Sequence, residues 1–419
     1  MATANEIGAK APAASTRRRG RPSKLDAVLE EATRQFNAAG VSGAQLGKVA
    51  ERVGLARGTL YHYFADREDL VFRCYLRSCA ITEGQIASAR DEGRDGLARV
   101  LAYVGQSLGE DTSALAVISD LDYLTDDHRK QIERAHGNNL AELQDFITGG
   151  QADGSVRPCD PKVVSQIIFG IQNWLSLAPT WVTGPGRDLE VANIVSTLLC
   201  DGIAAHPEKP IELRRNFSFY DSRQKSSFDR EHAKELKREE VVAVASRLFN
   251  RKSIDGTSVE DIAGELGTTP GAVYYYFSNK NALVLACYER AYDIYNRQAD
   301  MAAGAGRTGL ERLLYSVQFA VQSTELSPLV VFTGAEHLPA KGRRRVVDRL
   351  GELIDRGEVF YHEGIADGSL RPLPVRPTVL ALGGSVQRAS QWHTWGDLHL
   401  QDTTADESVT LFALGLRKR

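Results

Sequence analysis

The chain lacks most of what chemistry at a protein site requires. Its five cysteines, Cys74, Cys79, Cys159, Cys200 and Cys287, have no Cys-x-x-Cys spacing and are odd in number, so neither a disulfide framework nor a zinc framework follows. Cys74 and Cys287 sit on apolar helical patterns, where buried reduced thiols are expected. Gly-x-Ser-x-Gly, His-Glu-x-x-His and a Walker loop are all missing, and the nine histidines are scattered. Asp126-Asp127-His128 with His136 reads as a solvated helix start before it reads as a metal site. No enzyme activity, metal or cofactor is expected. The sequence also has no run of about 18 apolar residues, and its opening 24 residues have no apolar segment of signal-peptide type. A soluble, cytoplasmic protein with no membrane partner is expected. Nor is there an excess of positive charge, since 51 Lys and Arg stand against 54 Asp and Glu. That balance does not exclude nucleic acid, because the distribution of charge matters more than its sum.

What the sequence has is a repeat. Residues 46–64, LGKVAERVGLARGTLYHYF, meet 259–277, VEDIAGELGTTPGAVYYYF, at an offset of 213 without a gap. Each copy reads as two short helices around a tight turn. In the first, Leu46, Val49, Ala50 and Val53 have helical spacing, Gly54 stops the helix, and a second helix starts near Ala56 and carries Leu60 and Phe64 inward. Gly267 marks the same stop in the second. Two short amphipathic helices crossing at a glycine suit a helix-turn-helix, whose second helix can enter the major groove of DNA.

The residues Val49-Ala50, Val53-Gly54, Gly58, Leu60-Tyr61, Tyr63-Phe64, Arg67 and Leu70 resemble the DNA-binding head of the TetR family of bacterial transcriptional regulators. So do Ile262-Ala263, Leu266-Gly267, Gly271, Val273-Tyr274, Tyr276-Phe277, Lys280 and Leu283. The resemblance implies that Arg57, Thr59, Tyr61, His62 and Tyr63 face DNA in the first half, and Pro270, Ala272, Tyr274, Tyr275 and Tyr276 in the second. It also sets Arg67 and Lys280 against phosphate. Thr257 and Ser258 offer small hydroxyls suited to phosphate at a helix start, whereas the first copy has Ala44 in that place. Arg57 can pair with a guanine edge and Pro270 cannot donate, so two unlike half-sites and an imperfect palindrome are expected.

Charge separates the two heads. From Arg17 to Arg77 there are 12 basic and 7 acidic residues, and from Glu212 to Arg297 there are 14 and 13. The first head therefore has the stronger electrostatic claim on phosphate. Directly before it, Arg17-Arg18-Arg19-Gly20-Arg21-Pro22 forms a compact cationic arm, in which Arg19 and Arg21 can lie in a narrow minor groove.

The expected architecture is all-α, with two tandem TetR-like units. It divides into a flexible basic arm at 1–23, a first helix-turn-helix domain at 24–70 and a first helical effector and dimerisation domain at 71–204. A linker at 205–231 follows, then a second helix-turn-helix domain at 232–283 and a second helical body at 284–419. The first helix is expected over Leu25–Ala39, and long connecting helices over roughly 67–90 and 280–303, started by Asp66 and by Ser278 or Asn279. Gly304-Ala-Gly306-Arg-Thr-Gly309 matches the dinucleotide fingerprint in form only. No strand precedes it, so it is expected to be an interhelical loop. The offset shifts to 214 at Ala152–Pro158 against Ala366–Pro372 and returns to 213 near the end, which shows that the whole unit is duplicated.

The family resemblance implies homodimers that pair through their last two helices. Here that would become intrachain pairing of about 161–204 with about 375–417, an asymmetric pseudo-dimer on double-stranded DNA, with further homodimerisation open. It also implies a small-molecule effector in the body, and Asp153–Pro158 with Gly170–Trp174 resembles members that sense acyl-CoA thioesters. Trp174, Trp181, Trp392 and Trp395 are expected in cores or interfaces rather than against ligand. The competing reading is an interaction or scaffold protein in which one or both heads have lost DNA.

Overall fold

The computed structural model describes residues 23–109, 114–118, 121–177, 189–213, 230–326, 329–331, 335, 338–387 and 402–419. Among these residues the chain is helical and has no strand, only isolated bridges from Val156 to Arg417 and from Ala204 to Leu370. No helix is long and apolar enough to cross a membrane.

The first unit opens with α1 (Lys24–Gly43), α2 (Leu46–Val53) and α3 (Arg57–Leu60). A Ser23–Asp26 capping box starts α1, and the helix kinks at Gly40, whose φ of 70° lies where glycine costs least. It therefore runs past the expected end at Ala39. Gly54 closes α2 at φ 70°, as its place in the sequence implies. Val28, Ala32, Phe36, Val49, Leu60 and Phe64 form the head core, which closes on Leu70 and Cys74 of α4 (Arg67–Glu92). Asp66 caps α4 by accepting from the Asp69 N–H.

The first body continues with α5 (Gly96–Leu108), a 3-10 turn (Leu121–Tyr123), α6 (Asp126–Asp153), α7 (Pro161–Leu177) and α8 (Leu189–Asp201). The second unit repeats this order. Its head is α9 (Arg230–Lys252), α10 (Val259–Glu265) and α11 (Pro270–Tyr276), and its connecting helix is α12 (Lys280–Ala305). Its body is α13 (Gly309–Leu326), α14 (Ala340–Ala366), α15 (Val375–Gln387) and α16 (Asp402–Leu414). Asn279 starts α12 by accepting from the Ala282 N–H. The glycine-rich 304–309 stretch spans the end of α12, a three-residue break at 306–308 and the start of α13.

The same hydrogen bonds hold each copy together. Asp153 accepts from the Gly96 N–H at 2.9 Å, and Asp367 accepts from the Gly309 N–H at 2.8 Å. The Ser155 and Ser369 hydroxyls accept from the Leu97 and Leu310 N–H groups. Each pair satisfies donors at a helix start that would otherwise be orphaned. Cys74 and Cys287 are buried free thiols, each near a carbonyl of its head's first helix, Leu29 and Val242. Burial pushes both thiols up to about 12.

Helices α7 and α8 of the first unit contact α15 and α16 of the second. The α7 and α15 backbones meet at glycines. A Cβ on Gly170 would lie 2.9 Å from the Ser385 carbonyl, and one on Gly384 would lie 2.2 Å from the Trp174 ring. At the base of these helices the Ile203 N–H donates to the Phe412 carbonyl and the Leu416 N–H donates to the Leu199 carbonyl, both at 2.8 Å. Each bond maps onto the other when 213 is added or subtracted.

Candidate nucleic-acid interface

Helix propensity and capping make the two presumptive reading helices different. In the first head α3 is a single turn, with Ala56 at the N-cap and no side-chain bond there. In the second, the Thr269 hydroxyl accepts from the Ala272 N–H and Pro270 opens α11, which runs for seven residues. Leu60 and Val273 point inward as anchors, 2% and 1% exposed. The next residues outward are Tyr61, 52% exposed, with Tyr274 at 48% and Tyr275 at 68%. Large aromatic side chains left this open are what a partner surface would cover.

The other expected contacts divide by burial. Arg57 and His62 are exposed, while Thr59, Ala272, Tyr63 and Tyr276 are half-buried. Tyr63 tilts against Phe64 with centroids 6.3 Å apart, and Tyr276 meets Tyr275 edge-on at 5.0 Å. Phe64 and Phe277 are core residues. Arg19 and Arg21 lie outside the described residues, as do Arg214, Arg215, Arg223 and Lys225 of the linker and Trp181, Trp392 and Trp395.

Thr257 requires a correction. Its hydroxyl is fully buried and donates to the Ser253 carbonyl at 2.8 Å, so it closes the turn after α9 and is not offered to phosphate. The matching Ala44 is buried as well. Ser258 is exposed and starts α10 through a reciprocal box with Asp261, whose carboxyl the Ser258 hydroxyl and N–H hold below its usual range. Arg67 and Lys280 are also engaged locally. Arg67 donates to the Val41 carbonyl at 3.0 Å, and Lys280 reaches the Asp255 carbonyl at 3.5 Å. Burial lowers the Lys280 ammonium pKa, opposed by Asp255 and Asp261.

Several residues that matter here gave no motif signal. Lys234 sits over the Tyr275 ring at 5.6 Å, adding a cation beside the most exposed tyrosine. Asn37 grips an extended piece of the first body, donating to the Leu115 carbonyl and accepting from the Val117 N–H. Asn250 does the same with Leu329 and Val331. Comparing the copies at an offset of 213 pairs these asparagines, which was the available clue. His128 stacks on Phe72 at 3.8 Å and bonds Glu68, pinning α6 to α4. Among the described residues no cluster of three or more metal-ligating side chains forms.

Residues 28–74 and 241–287 each match the profile of the family described as Bacterial regulatory proteins, tetR family, and residues 91–203 match the Tetracyclin repressor-like, C-terminal domain. The chain belongs to the TetR family. Among curated proteins, the HTH-type transcriptional repressor KstR2 of Rhodococcus jostii (strain RHA1) is 24% identical over 185 residues, spanning 43% of this chain and 91% of that protein. The fatty acid metabolism regulator protein of Bacillus subtilis (strain 168) is 26% identical over 188 residues, 42% of this chain and 93% of its own length. Among solved structures, the ketosteroid transcriptional regulator KstR2 of Mycobacterium tuberculosis aligns with a TM-score of 0.37 and 19% identity, covering 44% of this chain and 96% of that one. The two curated relatives thus correspond in length to one unit of this TetR-family chain, which carries two heads.

The two TetR-like bodies enclose unequal spaces. The second holds an apolar cavity of about 160 Å³ bordered by α12, α13, α14 and α15, with Trp174 of α7 also on its wall. The first holds a smaller, less apolar space of about 50 Å³ beside His136, Asn139 and Gln166.

Proposed function

We propose that the chain is a ligand-responsive transcriptional repressor, acting in the cytoplasm as a single-chain pseudo-dimer whose two heads read unlike half-sites of an imperfect palindrome. The observation that carries this reading is the reciprocal pair of bonds from Ile203 to Phe412 and from Leu416 to Leu199, which relates the halves as two subunits would be related. Covalent linkage makes the association intramolecular and leaves each head free to diverge. In the first head Arg57, Thr59, Tyr61, His62 and Tyr63 face the groove. In the second, Ala272, Tyr274, Tyr275 and Tyr276 do so with Lys234 beside them, and Ser258, Arg67 and Lys280 lie at the backbone. The apolar cavity suits a hydrophobic effector, either the acyl part of a thioester or another small molecule of that size.

A second reading has its own observation. The second head is near-neutral in charge, and its Arg251 is tied to Asp122 of the first body at 2.9 Å. A head held in this way suits a scaffold role. Fluorescence anisotropy with a duplex selected from a random pool separates the two readings. If both heads read DNA, Arg57→Ala and the pair Tyr274→Ala/Lys280→Ala each weaken binding by roughly 1–3 kcal/mol, and only the pair with Lys280 lowers the salt slope, by about one. An unchanged affinity and slope for Tyr274→Ala/Lys280→Ala assigns the second head to the scaffold.

A further inference from the structure

The wider apolar cavity of the second body follows from residues that differ between the two copies. Offsets of 213 in α5 and α13 and 214 in α6–α7 and α14–α15 pair Tyr103 with Ser316, Leu143 with Gly357 and Phe169 with Gly383. Ser316, Gly357 and Gly383 all line the second cavity. In the first body the larger partners fill the matching space. Tyr103 is fully buried and donates to Gln172 at 2.6 Å, with the Phe169 ring 6.0 Å from its own, and Leu143 is fully buried in the same core. These three large-to-small exchanges open space that Tyr295, standing where the first copy has Thr82, does not fill completely, and a void of this kind costs stability unless something occupies it.

The second cavity also holds an unsatisfied group. Gln298 is 4% exposed, and neither its amide nitrogen nor its oxygen has a hydrogen-bond partner among the described residues. A buried carboxamide left in this state loses its hydration without a compensating hydrogen bond. Its counterpart Gln85 donates to the Gln106 carbonyl instead. Arg356 also borders the cavity, but its guanidinium is occupied by Asn296 and Asp300. Among the described lining residues no uncommitted cation therefore awaits a carboxylate. The volume is close to that of the roughly 150 Å³ apolar cavity that accepts benzene in another protein.

We propose that the second body alone is the sensor, binding one neutral apolar molecule per chain through an amide-type group that both donates to and accepts from Gln298. Trp174 reaches this site from the first half, so the occupant touches both halves at their interface. This rests on the reading of the chain as ligand-responsive, but the site itself is tested without DNA. Benzamide serves as the probe, with toluene and benzoate as controls, in calorimetric titration of the full chain and by Trp174 fluorescence. The expected result is one benzamide per chain, weaker binding of benzoate, and a loss of about tenfold or more in benzamide affinity in Gln298→Leu while toluene still binds. Ser316→Tyr/Gly383→Phe abolishes binding of both neutral probes, and Tyr103→Ser/Phe169→Gly creates a second site. Two benzamides per wild-type chain, or an affinity indifferent to Gln298→Leu, overturns the proposal. So does the failure of both benzamide and toluene to bind. Benzamide that binds as expected yet leaves DNA affinity unchanged upholds the site and removes the ligand response from the proposed function.

Discussion

Arg157 reaches across the chain to Glu407, its guanidinium 2.8 Å from the carboxylate of a residue 250 positions later. The pair is not repeated residue for residue. The residue matching Glu407 in the first half is Ile194, and the arginine matching Arg157, Arg371, donates to the Ala204 carbonyl at 3.1 Å and lies 3.9 Å from the Asp201 carboxylate. Burial outweighs Arg157 and raises the Glu407 carboxyl above its ordinary value of 4.5. An acid raised in the fold favours the fold when protonated, so its support is fullest at low pH and is lost as pH rises through the raised value. Arg157→Ala should therefore destabilise the chain by roughly 1–3 kcal/mol at pH 7. The deficit should shrink towards pH 5, because Glu407 can then take up a proton. Urea unfolding at the two pH values checks this, and a deficit that grows on acidification counts against it.

The Trp174 ring of the first half leaves no room for a side chain at Gly384. Gly384→Leu should cost about 1–3 kcal/mol by overpacking against Trp174, shift the tryptophan emission, and weaken DNA binding because the heads lose their fixed spacing. A variant that unfolds and binds DNA like the wild type would show that the α7–α15 contact does not set head geometry.

Asn250 joins the second head to the body by two hydrogen bonds, and Asn37 does so in the first. Removing the side chain leaves a backbone carbonyl and N–H without their partner. Asn250→Ala should lower stability by about 1–3 kcal/mol and weaken the coupling between cavity and head while leaving both individually intact. Measuring DNA affinity with and without a cavity ligand reads that coupling directly.

Acid should loosen both bodies through the same device. Hydrogen bonds from Ser155 and from the Gly96 N–H lower the Asp153 carboxyl below its ordinary 3.8. At Asp367 burial opposes the fall, and bonds from Ser369 and Gly309 produce it. A carboxyl lowered in the fold adds stability that is fully present above its unfolded value and is lost as pH falls below it. Asp367→Asn should therefore be less stable than the wild type at neutral pH, with the difference narrowing below about pH 4 in acid titrations followed by circular dichroism.

The heads were legible because their signals are local. Gly54 stops α2, Asp66 and Asn279 start the long helices, and Leu60 and Phe64 anchor the turn, each within a few residues of what it controls. The duplication was legible as a fixed offset. Thr257 was misread because a hydroxyl beside an exposed serine gives no sign of turning inward, and its fate depends on a carbonyl four residues back. The cavity was not legible in either copy alone. Tyr103, Leu143 and Phe169 come from three different helices, and only packing brings their substitutes Ser316, Gly357 and Gly383 to one place.

A single-chain pseudo-dimer differs from an ordinary dimer most directly in how many chains one operator takes. Sedimentation velocity of the 45.9 kDa chain with a fluorescent duplex carrying one selected site, in moderate salt, reads that number. One chain per duplex is the predicted result, with both heads of that chain engaged. Two chains per duplex at saturation, with no complex of one chain at lower ratios, would contradict it.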